Sequence, residues 1–134
     1  MCGYDMICSF DHGIAMRDGV MLRGNLFRPG DRAKHPVLLL RTVFRKDWMS
    51  RGYGQYDPAF WVRHGYAVYI QDVRGLGASQ GEFDRFTSDG PDGYDTIEAL
   101  AALSLIHISH LISDYTKEHG KCKCACFMAE VADF

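Results

Sequence analysis

Tyr66-Ala67-Val68-Tyr69-Ile70-Gln71-Asp72-Val73-Arg74-Gly75-Leu76-Gly77-Ala78-Ser79-Gln80-Gly81-Glu82-Phe83 is the stretch whose reading decides the fold of this chain. It opens as an apolar β run, Ala67 to Ile70, closes on Asp72, and passes into a loop with glycines at 75, 77 and 81. Strand, acid and glycine-rich turn, in that order, is how many α/β proteins place function at the C-terminal end of a parallel strand. Upstream, His35-Pro36 leads into Val37-Leu38-Leu39-Leu40, apolar on both faces as a covered central strand would be. Between the two runs, Pro58 suits the first turn of a short helix, Ala59 to Arg63, that stops at Gly65. Strand, helix, strand at this spacing predicts two parallel strands with a right-handed crossover, and hence an α/β fold.

Outward from this unit, Ile14 to Arg28 reads as a β-hairpin around a two-residue turn, Asp18-Gly19. Val20, Leu22 and Leu26 share one face at period two, with Gly24 among them, and Pro29-Gly30-Asp31 ends the second strand. Arg41 to Trp48 is a polar-aromatic segment after a buried strand, either a plain surface loop or a loop lining a site, and Met49 to Asp57 reads as loop. Phe83 to Ser88 is irregular. A helix is expected from about Pro91, with Ser88 and Asp89 available as caps and Tyr94, Ile97, Leu100 and Ala101 as its apolar stripe.

Composition narrows the function classes. The 134 residues suffice for one modest core, and 47% hydrophobic with 24% charged residues is ordinary for a globular domain. A net charge of -2 gives no polyelectrolyte footprint for nucleic acid. No apolar run approaches the ~20 residues that span a bilayer, and the start, with Asp5 and Asp11, lacks the basic-then-apolar pattern of a signal peptide. The expected compartment is the cytoplasm. Cys122, Cys124 and Cys126 are spaced C-x-C-x-C, which is not the pairing of a structural zinc site. His107 and His110 have no carboxylate at metalloprotease spacing. Neither a metal nor a cofactor is expected.

The glycine loop admits three readings. As a dinucleotide fingerprint, Gly75-Leu76-Gly77 begins G-x-G, but Gln80 stands where a small residue should, and no helix opens there. As a nucleophile elbow, Gly77-Ala78-Ser79-Gln80-Gly81 spells G-x-S-x-G. However, the strand ends at about Asp72, and an elbow needs strand, serine and helix in immediate succession. The third reading is a structural loop beside an active site, built from Asp72, Arg74, Gly75, Gly77, Ser79 and Gly81.

The third reading has support elsewhere in the chain. Met16-Arg17-Asp18-Gly19-Val20-Met21-Leu22, Pro36 to Thr42, Gly65 to Val68, Asp72 to Gly81 and Asp92-Gly93-Tyr94-Asp95-Thr96-Ile97-Glu98 follow one another in order and spacing. Together, over about residues 12 to 102, they resemble the N-terminal part of the X-prolyl dipeptidyl-peptidase and cocaine esterase (CocE/NonD) family of α/β-hydrolases. The resemblance implies an incomplete α/β-hydrolase fold: an N-terminal hairpin and the start of a mostly parallel sheet. It implies descent from a serine hydrolase acting on small esters, amides or X-prolyl peptides, in which serine attacks, histidine is the base and a carboxylate orients it. In that family the loop serine is not the nucleophile, and the true elbow, acid and histidine come further on. The family's R-T-P-Y loop also carries an oxyanion-binding tyrosine. Here Val43 and Phe44 stand in the last two places, and the missing hydroxyl is a loss of roughly 3 kcal/mol of transition-state stabilisation.

Residues 1–102 are therefore expected to be the N-terminal part of a hydrolase domain, without a catalytic nucleophile, acid or histidine and inactive alone. Residues 103–134 are expected to be a tail outside the family, non-native or disordered. Leu103 to Ser109 is similar to a peptide encoded by translated sequencing-adaptor DNA. The alternatives are a non-catalytic α/β interaction protein, and a nucleotide-binding module using Gly75 to Gly81. The expected half-sheet leaves an open strand edge and poor folding.

Overall fold

The structure, a computed structural model, describes residues 5–31, 33–52, 57–103, 106–107 and 126–128. Six strands and three helices follow in chain order: β1 Met6–Ala15, β2 Met21–Pro29, β3 His35–Thr42, α1 Lys46–Met49, α2 Pro58–Arg63, β4 Ala67–Asp72, α3 Asp89–Ala102, β5 Ile106–His107 and β6 Cys126–Met128. The sheet runs β1-β2-β4-β3-β5, with β6 also on β3. β3 and β4 are parallel, from Val37 opposite Ala67 to Thr42 opposite Asp72. β2 is antiparallel to both β1 and β4. This is a mixed α/β sheet with a hairpin at one side, the class that the strand-helix-strand spacing predicts.

Period-two alternation in β3 and β4 feeds two cores. Val37, Leu39, Ala67 and Tyr69 point to one face, where Leu22 and Leu26 of β2 and Ile97 and Leu100 of α3 complete the cluster. Leu38, Leu40, Val68 and Ile70 point to the other, against Phe27, Met49 and Val62. Burying each such side chain contributes about 1.5–3 kcal/mol. Gly24 is required where it stands because the Tyr69 ring lies over it and a Cβ would overlap that ring. The Tyr69 hydroxyl donates to the His12 carbonyl at 2.8 Å.

Several local expectations are corrected. β1 begins at Met6 rather than Ile14, and a bulge between Ser9 and His12 bends it. The hairpin turn is longer than two residues: Met16 and Val20 pair through one bond of 2.8 Å, and Gly19 takes φ +85. That is a type I turn followed by a left-handed residue, the usual three-residue loop. Lys46 to Met49 is a helical turn inside the expected loop. Asp57 caps α2 through the Ala59 N–H at 3.0 Å, and Gly65 closes it at φ +87. α3 starts at Asp89, two residues early, and has no side-chain cap: the Ser88 hydroxyl donates to Asp84, while Asp89 pairs with Arg41. In its stripe Ala101 is exposed, and Thr96 is buried instead. The outer edge of β3 is not bare, since Leu38 to Leu40 pair antiparallel with Cys126–Met128. Most of the expected tail, including Cys122, Cys124 and His110, lies outside the described residues, and only backbone is described at His107 and Cys126.

Candidate functional site

Asp72 ends β4 with its side chain 2% exposed. One carboxylate oxygen accepts the Lys46 N–H at 2.6 Å and the other the Ala78 N–H at 2.9 Å. A single carboxylate thus joins the loops that leave two neighbouring parallel strands. Gly77, at φ +55, passes so close to it that a Cβ would overlap the carboxylate, and Gly75, at φ +78, packs on the backbone of Glu82 and Phe83 in the same way. Gly81, at φ +87, lies against Arg74 and Val20. These glycines make a tight knot rather than an open phosphate cradle.

Ser79 sits inside the knot. Its hydroxyl donates to the Asp72 carbonyl at 2.7 Å and accepts the Arg23 N–H at 2.9 Å. With its proton on a backbone carbonyl and a lone pair on an amide, it stitches the loop to β2 and is not poised as a nucleophile. Arg74 leaves the loop the other way. It meets Asp92 at 2.7 and 2.9 Å and Asp18 at 2.8 Å, fastening the hairpin turn and the first turn of α3 to the knot. Hydrogen bonds to Asp92, then to Asp18, hold its guanidinium above the ordinary arginine range. Arg74 in turn keeps Asp18 below the usual carboxylate range.

Phe44 belongs to the turn after β3. Its N–H donates to Thr42 Oγ1 at 2.9 Å, and its ring is 66% exposed. Arg45 follows at φ +69, a left-handed conformation that costs a non-glycine residue about 1–2 kcal/mol. The Asp72 bond to the next amide sustains it. Lys46 then buries its side chain completely, with Nζ 2.6 Å from Asp11 and 2.8 Å from Asp47. Burial pulls the ammonium down, and the two carboxylate hydrogen bonds outweigh it, so its proton is held more tightly than usual. Asn25, in β2, donates to Asp47 and Ser50 and accepts the Asp11 N–H. No reading of the sequence singled out this network, although Asn25, next to Leu26 and Phe27 in β2, was its signal.

A second polar group lies below α3. Arg41 and Gln71 are partners in the β3–β4 register, and Arg41 Nε donates to Gln71 Oε1 at 3.0 Å. Arg41 also holds the buried Asp89 carboxylate and its carbonyl, and Thr96 Oγ1 reaches Gln71 Oε1 at 3.1 Å. Beside Arg41 lies a small open cleft, with room for about one water, whose walls include Phe83 and Phe86. Among the described residues no group of three or more His, Cys, Asp or Glu is placed to hold a metal ion, and no helix is long and apolar enough to cross a membrane.

Comparison with known proteins gives a consistent picture. Residues 18–122 match the family described as X-Pro dipeptidyl-peptidase (S15 family). Over 88 residues, 63% of this chain, the sequence is 42% identical to the cocaine esterase of Rhodococcus sp. (strain MB1 Bresler), and covers 15% of that protein. A CocE/NonD family hydrolase from Staphylococcus aureus has a TM-score of 0.65 at 29% identity, over 84% of this chain and 24% of its own. An α-amino acid ester hydrolase shares the fold, with a TM-score of 0.66 at 24% identity over 78% of this chain and 20% of its own. The chain spans less than a quarter of the length of each of these relatives.

Proposed function

The chain belongs to the X-Pro dipeptidyl-peptidase (S15) family, and from that premise we propose that residues 12–102 are the sheet and oxyanion-side loops of an acyl hydrolase. Its substrates would be small esters, amides or X-prolyl peptides, cleaved by a serine, histidine and carboxylate supplied from outside these residues. The observation that carries this reading is the Asp72 bridge. It fixes the loop after β3 against the loop after β4, at the C-terminal end of adjacent parallel strands, where α/β proteins build their sites. The β3 loop of an α/β-hydrolase supplies part of the oxyanion hole. Here Phe44 has no hydroxyl to offer, and its N–H is taken by Thr42. Ser79 is structural in this reading, and the chain alone does not turn over substrate.

A serine-directed fluorophosphonate tests the negative half. No covalent labelling of the chain is expected, and labelling that disappears in Ser79→Ala would overturn the assignment. Sequencing the coding nucleic acid through the codons around Ala102 tests the positive half. A frame that runs into a second G-x-S-x-G between a strand and a helix should yield an expressed product that hydrolyses p-nitrophenyl esters. If no such frame exists, a non-catalytic role for the fold takes its place.

A further inference from the structure

One buried lysine joins two strained residues on different segments. In β1 the register passes from Ser9 opposite Leu26 to His12 opposite Gly24, so Phe10 and Asp11 together stand opposite Asn25. A bulge of this kind re-aims a side chain. Asp11 takes φ +53, and its N–H, carbonyl and carboxylate are all engaged. The N–H donates to Asn25 Oδ1 at 3.1 Å, the carbonyl accepts Arg23 Nη1 at 3.1 Å, and the carboxylate lies 2.6 Å from Lys46 Nζ.

The second strained residue is in the turn after β3. Arg45 takes φ +69, and the next N–H, on Lys46, donates to Asp72 at 2.6 Å. The Lys46 side chain is wholly buried and ends on Asp11 and Asp47. Lys46 is thus bonded at its backbone to the end of β4 and at its ammonium to the bulge of β1. Left-handed backbone in such residues persists only where the surroundings over-determine it, and it gathers at functional sites.

The two carboxylates on Lys46 do different work. Asp47 is its neighbour in the chain and moves with the loop, so that bond by itself fixes nothing. Asp11 belongs to β1, and its bond ties the loop to the sheet. The loop also reaches β2 through Asp47 and Asn25, at 3.1 Å. The Lys46–Asp11 contact is shorter and pairs opposite charges.

We propose that Asp11 is a positioning residue for the loop after β3: through Lys46 it holds Arg45 in its left-handed conformation and so sets where Phe44 stands. That this loop serves an oxyanion hole rests on the acyl-hydrolase reading; that Asp11 holds it does not.

Amide hydrogen exchange on the full ¹⁵N-labelled chain tests it. Asp11→Asn keeps the shape of the side chain and suits a positive φ, so the bulge persists while the charge goes. Lys46 keeps a matched partner in Asp47. The Lys46 amide, whose bond to Asp72 reports the loop, should then exchange at least about tenfold faster. The Ala78 amide, on the other oxygen of the same carboxylate, should keep its native rate, as should the Leu39 and Ile70 amides of the two cores. In a Lys46→Met background, where the amide at position 46 is already fast, Asp11→Asn should add less than about twofold, because the two residues act as one unit. Native exchange at Lys46 in Asp11→Asn would overturn the proposal. Acceleration shared equally by Leu39 and Ile70 would mean a general loosening of the sheet and would overturn it too, as would a full additive effect of Asp11→Asn in Lys46→Met.

Discussion

Gly77 concentrates the constraints of the glycine loop in one residue. Its φ of +55 and the carboxylate packed where a Cβ would stand are independent penalties on any side chain. Gly77→Ala should cost about 2 kcal/mol or more, read as a lowered urea midpoint at constant slope. Gly19→Ala, with the same sign of φ but open space around it, should cost only the backbone part. The sequence announced that these glycines matter and that the G-x-S-x-G spelling was misplaced for an elbow, because strand length is legible from apolar residues. The bonds that Ser79 makes were not legible. Its partners, Asp72 and Arg23, lie 7 and 56 residues away, and side-chain bonding over such separations leaves no local periodicity.

At the level of elements, the hairpin and α3 are tied at their ends by charge rather than by apolar contact alone. Arg17 grips Asp95 through its side chain at 2.8 and 3.0 Å and its backbone at 2.9 Å, while Arg74 spans Asp18 and Asp92. Hydrogen bonding to Arg17 holds the Asp95 carboxyl below its usual range, as Arg74 does for Asp18. A depressed folded-state pKa contributes stability above the unfolded value of about 3.9, and that stability is lost as pH falls through the lower, folded value. The gap in unfolding free energy between the native chain and Asp95→Asn should therefore be constant above about pH 5 and shrink as pH falls below the unfolded value. A gap that widens on acidification would rule the tie out. Between residues 14 and 102 the existence of every element but the short α1 was readable, since period two and period 3.6 are local signals and four residues are too few to show either. Element ends were less so. Ser88 and Asp89 have the chemistry of caps, yet Asp84 and Arg41 compete for them and win.

For the whole molecule, β3 and β4 are shared by two cores, so neither face can loosen without the other. Leu39→Ala on the α3 face and Ile70→Ala on the α2 face should each cost about 3 kcal/mol. Fluorescence from Trp61 and far-ultraviolet circular dichroism should give coincident unfolding curves in both variants. Separate transitions would mean two independently melting halves. The parallel pair was legible because both strands are apolar on both faces. The cover on the outer edge of β3 was not, because Cys126–Met128 is too short to announce a strand. The ring of Tyr69, wedged between β1 and Gly24, has one more consequence. Burial raises its phenol far above the ordinary tyrosine range. In an alkaline spectrophotometric titration the Tyr69 phenolate will form only as β4 parts from the hairpin. Its late rise in absorbance near 295 nm is thus an optical clock, with no label attached, for the opening of the sheet.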